Sequence, residues 1–219
     1  MISPHRQSRV FRLRRAHLPW YTIILIMVSV LWVDFNHSFW KSEADRVIFW
    51  DVKNYYAYLP AAIIYHDIGM GFKDADPERF HDKIWVIPAR EGRYVNKMSM
   101  GLALAYAPFF LLAHAVAGPL GYEADGYSVP YKFMLVMSSA AYLLLGMVLL
   151  VYLLRRWFDP VIQSLTLIGI TVGTNLFFYA TIEAPMSHVY SFALFSAFML
   201  LTVSWHTRPA LWKSLLIGL

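Results

Sequence analysis

The sequence predicts an all-α, polytopic transmembrane helical bundle with an external first loop of interfacial helices and a short hairpin. Hydrophobic residues make up 58% of the 219-residue chain and charged residues only 15%, whereas soluble domains carry roughly 25% charged residues. Such a chain cannot cover a globule of its own size with polar surface. Long apolar runs recur, and the basic residues cluster beside them. These observations together indicate an integral membrane protein.

Residues 1–17 form a basic arm before the first apolar run. The arm contains five arginines that precede the run, and the first acid of the chain is Asp34. This asymmetry is typical of a cytoplasmic N-terminus that contacts membrane lipids, so nucleic acid is not expected as a partner. We predict an uncleaved transmembrane helix over 18–39 rather than a signal peptide, because no small-x-small cleavage site follows it.

The rest of the chain consists of one polar loop followed by a series of apolar runs. We expect an external loop with interfacial helices over 40–96, a re-entrant or membrane-edge helix over 97–118, spans over 131–154, 161–181 and 188–205, and the start of an incomplete span over 211–219. The re-entrant alternative follows from the positive-inside rule. It puts the basic residues after the later spans in the cytoplasm and leaves Glu183 outside.

The stretch after the first span carries the leading site candidate, Asp51. This lone acid follows Phe49 and Trp50 and opens a segment with Tyr55 and Tyr58 at helical spacing. An acid held among aromatic residues at a membrane surface is typical of a functional site. The alternative is an N-cap, because an aspartate just before a helix accepts a backbone N–H.

A second acid, Glu183, lies at the junction of two predicted spans, and His188 follows it. An unpaired acid at this depth costs several kcal/mol, which favours a role facing the protein interior over a solvated turn. Asp51, Glu183 and His188 are the candidate ligands if a divalent metal ion serves as cofactor. His188 is also a candidate substrate-binding residue, and it has an alternative as a hydrogen-bonding residue at a helix start. There is no cysteine, which excludes disulfides and thiolate metal sites.

Four cations of the loop are candidate phosphate-binding residues, namely Lys53, Arg90, Arg93 and Lys97. Lys97 has an alternative as a snorkelling side chain at the membrane edge, and the arginines as solvated charges at a hairpin tip. The hairpin is predicted from 84–88 and 93–95. Tyr55 is a candidate substrate contact, with the alternative of an aromatic belt at headgroup level.

Three blocks of the sequence resemble the GT-C fold glycosyltransferases, most closely the branch with the lipid A aminoarabinose transferase and the protein O-mannosyltransferases. The blocks are Asp51-x-x-x-Tyr55; then Trp85-Val-Ile-Pro88, Gly92-Arg-Tyr94 and Asn96-Lys97; and Thr181-Ile-Glu183-Ala-Pro185. They occur in the family's order. The chain differs from the family pattern at Val52, Asn54 and Asn96.

The resemblance implies sugar transfer from a polyprenyl-phosphate donor to a lipid, glycan or protein acceptor at the external face of a bacterial inner membrane. It implies Asp51 as general base, with inversion at the anomeric carbon. Lys97, helped by Lys53, Arg90 or Arg93, would neutralise the leaving phosphate. Glu183 would position a substrate or share a metal ion with Asp51. Family members are longer, so we expect an N-terminal portion that is inactive alone.

Two other classes of protein stay open at this point. One is half of a transporter or flippase for a lipid-linked or small anionic solute, in which the acids form a binding or coupling site. The other is a non-catalytic membrane subunit in which Asp51 caps a helix. The position of both acids at the predicted outer edge, rather than at the bilayer midplane, favours surface chemistry.

Overall fold

The computed structural model describes residues 16–42, 44–89 and 94–218, and their regular secondary structure is helical apart from one two-stranded antiparallel sheet. Three segments of this part of the chain are long and apolar enough to cross a membrane, namely Leu18–Lys41, Val129–Leu154 and Ser187–Thr207. They coincide with three of the predicted spans. The helical fold class and the capacity to span a membrane are therefore confirmed.

The elements run in the following order along the chain. They are α1 (Leu18–His37), a 3₁₀ turn (Phe39–Lys41), α2 (Asp51–Ile63), α3 (Phe72–Ala75), α4 (Pro77–Phe80), β1 (Val86–Pro88), β2 (Tyr94–Asn96), α5 (Gly101–Ala117), α6 (Val129–Leu154), α7 (Pro160–Val172), α8 (Leu176–Thr181), α9 (Ser187–Thr207) and α10 (Leu211–Gly218).

The predicted hairpin is present. Strand β1 pairs antiparallel with β2, with Val86 opposite Asn96 and Pro88 opposite Tyr94. The proline lies at the end of an edge strand, where the missing N–H costs no ladder bond. Residues 90–93, which connect the strands, lie outside the described residues.

The helix expected over 161–181 is interrupted, which corrects the prediction of one continuous span. Helix α7 ends at Val172, with Gly173 in the cap position, and α8 begins at Leu176. The hydroxyl of Thr174 donates to Ile170 O (2.6 Å) and accepts from Leu176 N (3.2 Å). The Thr174 side chain thus forms hydrogen bonds with backbone groups at the break, which a continuous helix would satisfy through backbone hydrogen bonds.

Helix α5 occupies most of the predicted re-entrant segment 97–118. It is continuous through Pro108 and contains 17 residues, which corresponds to about 25 Å. That is shorter than the roughly 30 Å of a bilayer's hydrocarbon core. The structure therefore shows an unbroken short apolar helix here, and its relation to the membrane stays a prediction.

The chain divides into two compact units. The first, which we call the loop unit, comprises Asp34–Ser139 with Thr181–Ser187. Its core is aromatic: the buried Tyr56 of α2 lies 5.8 Å from Phe110 of α5 and 5.8 Å from Tyr127, measured between ring centroids. The Tyr56 hydroxyl donates to the carbonyl of Gly126. Packing of α2 on α5 thus fixes the helix that begins at Asp51.

The second, helical unit comprises the described residues of Met1–Val33, Ala140–Ala180 and His188–Leu219. Helices α6 and α9 approach closely at Gly146, where a Cβ atom would lie 3.0 Å from Ala193 Cα. Small residues permit such backbone contact between apolar helices. Lys213 of α10 donates to the carbonyls of Ser204 (3.0 Å) and Arg208 (2.8 Å), which places a cation at the end of α9.

Candidate functional site

Asp51 is the first residue of α2, and it is not the cap of that helix. The cap position is occupied by Trp50, and no side chain bonds the free N–H groups there. The Asp51 carboxylate still lies in the first turn, where the helix dipole favours a negative charge. Its side chain is 46% exposed. The N-cap alternative therefore does not describe this acid, which stays available to a ligand.

The backbone of Trp50 is strained. Its φ of 45° and ψ of −134° lie outside the regions that residues with a side chain adopt readily. A conformation of this kind costs of order 1–3 kcal/mol and persists only where the surrounding structure enforces it. The strain orients the chain just before Asp51. Observed strain of this kind is more frequent at functional sites than elsewhere.

Lys97 lies beside Asp51, although 45 residues separate them in the sequence. The Lys97 Nζ atom is 4.0 Å from Asp51 Oδ1, and the lysine side chain is 65% exposed. An exposed pair at this distance contributes little to stability, from about 0 to 1 kcal/mol. The pair therefore contributes little to the stability of the fold, and both of its charges are accessible to solvent.

Two hydrogen bonds link α2 to the residues on either side of Lys97. The side-chain amide of Asn96 donates to Asn54 O (2.6 Å), and its carbonyl accepts from Met98 N (3.1 Å). The Tyr58 hydroxyl donates to Met98 O (2.7 Å). Lys97 is thus held between two anchored residues. Asn96 therefore has a structural role.

A pair of exposed tryptophans borders the Asp51–Lys97 pair. Trp50 is 62% exposed and Trp85 is 43% exposed, and their rings meet edge to face at 6.3 Å. Lys53 lies over the Trp85 ring, with Nζ 4.6 Å from its centroid. Aromatic faces next to carboxylates and cations bind ligands that carry both an apolar face and polar groups.

Comparison with known proteins finds no matching family model, no matching curated protein and no matching solved structure.

Glu183 belongs to the loop unit as well. It lines a cleft of about 310 Å³ together with Phe39, Asp45, Arg46, Phe49 and Ile182. Asp45 and Arg46 were not among the predicted site residues. Within the described residues no group of three or more His, Cys, Asp or Glu side chains is arranged to hold a metal ion. Metal binding by Asp51, Glu183 and His188 stays a prediction.

The other predicted residues are distributed as follows. His188 belongs to the helical unit, where its ring stacks on Tyr179 at 3.6 Å. Tyr55 is half-buried on the first turn of α2. Arg90 and Arg93 lie outside the described residues.

Sequence reasoning missed a cluster of ion pairs within the loop unit. Arg79 bonds Glu123 and lies 3.4 Å from Asp125 Oδ2, and Lys83 lies 3.8 Å from the same oxygen. The other oxygen of Asp125 accepts from the backbone N–H groups of Tyr127 and Ser128. The Asp-Gly at 125–126 is a turn signal that would have predicted this local part. The cluster is satisfied internally, which indicates a structural role.

Proposed function

We propose that the chain is the N-terminal membrane module of a glycosyltransferase that moves a sugar from a polyprenyl-phosphate donor to an acceptor hydroxyl. The observation that carries the proposal is the Asp51–Lys97 pair, whose charged atoms are 4.0 Å apart on an exposed surface. The neighbouring tryptophans support a sugar as ligand, because the apolar face of a sugar ring packs on indole. The resemblance of three sequence blocks to the GT-C family supports the same reaction.

The proposed reaction is a single displacement. The Asp51 carboxylate takes the proton of the acceptor hydroxyl while that oxygen bonds to the anomeric carbon. The bond from the anomeric carbon to the phosphate oxygen breaks, and its electron pair leaves with the polyprenyl phosphate. Lys97 neutralises the phosphate by a charge-assisted hydrogen bond, with Lys53 as a second cation. The displacement inverts the anomeric carbon.

The finer assignments belong to the same proposal. Glu183 positions the acceptor or the donor from its own cleft. Arg90 and Arg93 assist at the phosphate, and Tyr55 contacts the substrate. The protein resides in a bacterial inner membrane with a cytoplasmic N-terminus, and the site faces outwards. The acceptor is a lipid, a glycan or a protein.

The test is the release of polyprenyl phosphate by the full-length protein. The protein would be purified in detergent and incubated with a panel of polyprenyl-phosphate sugars and membrane extract, and the released lipid phosphate measured by mass spectrometry. We expect Asp51→Asn to lower the rate by about 10²–10⁴-fold, the usual contribution of a general base. Lys97→Gln should also lower it. Glu78→Gln, an exposed acid of the same loop, is the matched control.

Two outcomes would overturn the proposal. One is a wild-type protein that releases no polyprenyl phosphate from any donor of the panel. The other is a folded Asp51→Asn variant with wild-type release, as expected for a non-catalytic membrane subunit. Circular dichroism of each variant would establish that helix content is unchanged.

A further inference from the structure

The cleft at Glu183 has charged groups that the protein itself does not satisfy. Arg46 is exposed, and its guanidinium carbon lies 5.8 Å from the centre of the Phe39 ring. Glu183 is half-buried. Within the described residues neither side chain makes an ion pair, and the two do not pair with each other. One cation and one anion therefore face the same cleft at separate positions.

The third charged residue of the cleft, Asp45, already has partners. Its Oδ1 atom accepts from the backbone N–H groups of Val47 (3.2 Å) and Ile48 (2.9 Å). Its Oδ2 atom lies 3.3 Å from Lys132 Nζ. Asp45 thus holds the shape of the loop that presents Arg46. The groups left for a ligand are the guanidinium of Arg46 and the carboxylate of Glu183.

The position of the cleft in the chain indicates where its ligand comes from. Phe39 follows α1 by two residues, and Glu183 precedes α9 by four. Helices α1 and α9 belong to segments long and apolar enough to cross a membrane. Residues at or just beyond the ends of such segments lie at the level of the lipid headgroups. The phenyl rings of Phe39 and Phe49 supply an apolar wall for the part of a ligand that continues into the bilayer.

We propose that this cleft binds the zwitterionic headgroup of a membrane phospholipid that carries a phosphate and a primary ammonium, as phosphatidylethanolamine does. Arg46 bonds the phosphate, and Glu183 accepts hydrogen bonds from the ammonium. A volume of about 310 Å³ is at the small end of ligand sites, which suits a headgroup whose acyl chains stay in the bilayer. The inference does not rest on sugar transfer at Asp51, and it is an alternative to the assignment of Glu183 as the residue that positions the acceptor or the donor.

Charge and hydrogen bonding set the expected selectivity. The quaternary ammonium of phosphatidylcholine has no N–H to donate to Glu183. Phosphatidylglycerol carries no cation and would leave the half-buried Glu183 carboxylate unpaired next to an anionic lipid. Both lipids keep the phosphate contact to Arg46 and lose the contact to Glu183.

The test is native mass spectrometry of the full chain in detergent, titrated with phosphatidylethanolamine, phosphatidylcholine and phosphatidylglycerol of identical acyl chains. We expect wild-type protein to bind phosphatidylethanolamine about 10-fold more tightly than the other two, the ratio for one lost hydrogen bond to a charged group. Glu183→Gln should remove this preference. Arg46→Gln should weaken all three lipids about equally, and Arg46→Lys should restore part of the affinity.

Matched controls are Glu78→Gln, an exposed acid of the loop unit, and Arg155→Gln, an exposed cation of the helical unit. Both should bind as the wild type does. Equal affinity of the wild type for the three lipids would overturn the proposal, as would variants of Arg46 and Glu183 that bind unchanged. Competition by soluble phosphoethanolamine as effective as that of the lipid would also overturn it, since the ligand would then be a soluble phosphate ester.

Discussion

At the scale of single residues, the positive φ of Trp50 is the clearest mark of a constrained site. A tryptophan with φ 45° is held there by its surroundings, and the residue that follows is the candidate base. Ordinary positions lose stability when alanine is replaced by glycine, because the unfolded chain gains freedom. At a position with positive φ the order is reversed, because only glycine adopts it without strain.

We therefore expect Trp50→Gly to be more stable than Trp50→Ala by about 1–2 kcal/mol, part of the strain of such a conformation. Both variants lose the indole and its contact with Trp85, so the difference isolates the backbone. Denaturant unfolding in detergent micelles would measure it. If the alanine variant is as stable as the glycine variant, Trp50 does not hold strain.

Asp34 is a second residue in an unfavourable environment, because its buried carboxyl group lacks hydrogen-bond partners in the part of the chain that the structure describes. It is 3% exposed on α1, and within the described residues neither carboxyl oxygen has a hydrogen-bond partner. A buried polar group without a partner costs about 1–3 kcal/mol. We expect Asp34→Leu, which has a similar branched shape, to raise the free energy of unfolding by that amount.

Asp34→Asn is the control, because it keeps the shape and leaves two polar atoms to be satisfied. Its free energy of unfolding should stay within about 0.5 kcal/mol of wild type. A leucine variant less stable than wild type would show that the carboxyl group has a partner in the folded protein.

At the scale of elements, a hydrogen bond to a charged group links the hairpin to α3. The Tyr94 hydroxyl donates to Asp74 Oδ2 (2.7 Å), and Lys73 Nζ lies 3.0 Å from Asp74 Oδ1. These bonds lower the pKa of Asp74 below its ordinary value, which is about 3.9. A lowered folded-state pKa means that the carboxylate stabilises the fold above the unfolded value and that this contribution is lost as the pH falls through the folded value.

We expect wild-type protein to be more stable than Asp74→Asn at pH 7, with a difference that shrinks as the pH falls below about 4. Denaturant unfolding of both proteins at a series of pH values would measure this. A difference independent of pH would mean that the charge of Asp74 does not stabilise the hairpin.

At the scale of the whole molecule, the basic residues predict which ends of the apolar helices lie outside. The positive-inside rule predicts that the end of α6 near Arg155 and Arg156 is cytoplasmic and that its other end is external. The chain has no cysteine, so single cysteines can be labelled without background. Asp125 is buried and bonded, which makes its exposed neighbour Ala124 the better position.

We expect an impermeant thiol reagent to label Ala124→Cys in intact cells and to label Arg156→Cys only after the cells are opened. The reverse pattern would put the loop before α6 in the cytoplasm and contradict an external site at Asp51. Labelling of both in intact cells would show that α6 does not span the membrane.

The sequence was sufficient for the features that depend on local pattern. Composition and apolar runs predicted the helical class and the segments that are able to span a membrane. The length and hydrophobicity of a run can be read from the sequence without knowing which residues the run contacts. The alternation around Trp85 and Tyr94 predicted the hairpin. The aromatic residues next to an acid made Asp51 the leading site candidate, and its role stays a prediction. The break at Gly173 was missed, because hydropathy records how apolar a run is and not whether it is continuous.

Only the tertiary structure decided which side chains meet. The pairing of Asp51 with Lys97 depends on the bonds of Asn96 and Tyr58 between the hairpin and α2. The cleft that joins Arg46 to Glu183 brings together residues 137 positions apart. Contacts of this kind follow from the packing of whole elements, and one sequence records the elements but not their arrangement. The strain at Trp50 is equally invisible in the sequence, because the residue itself disfavours it.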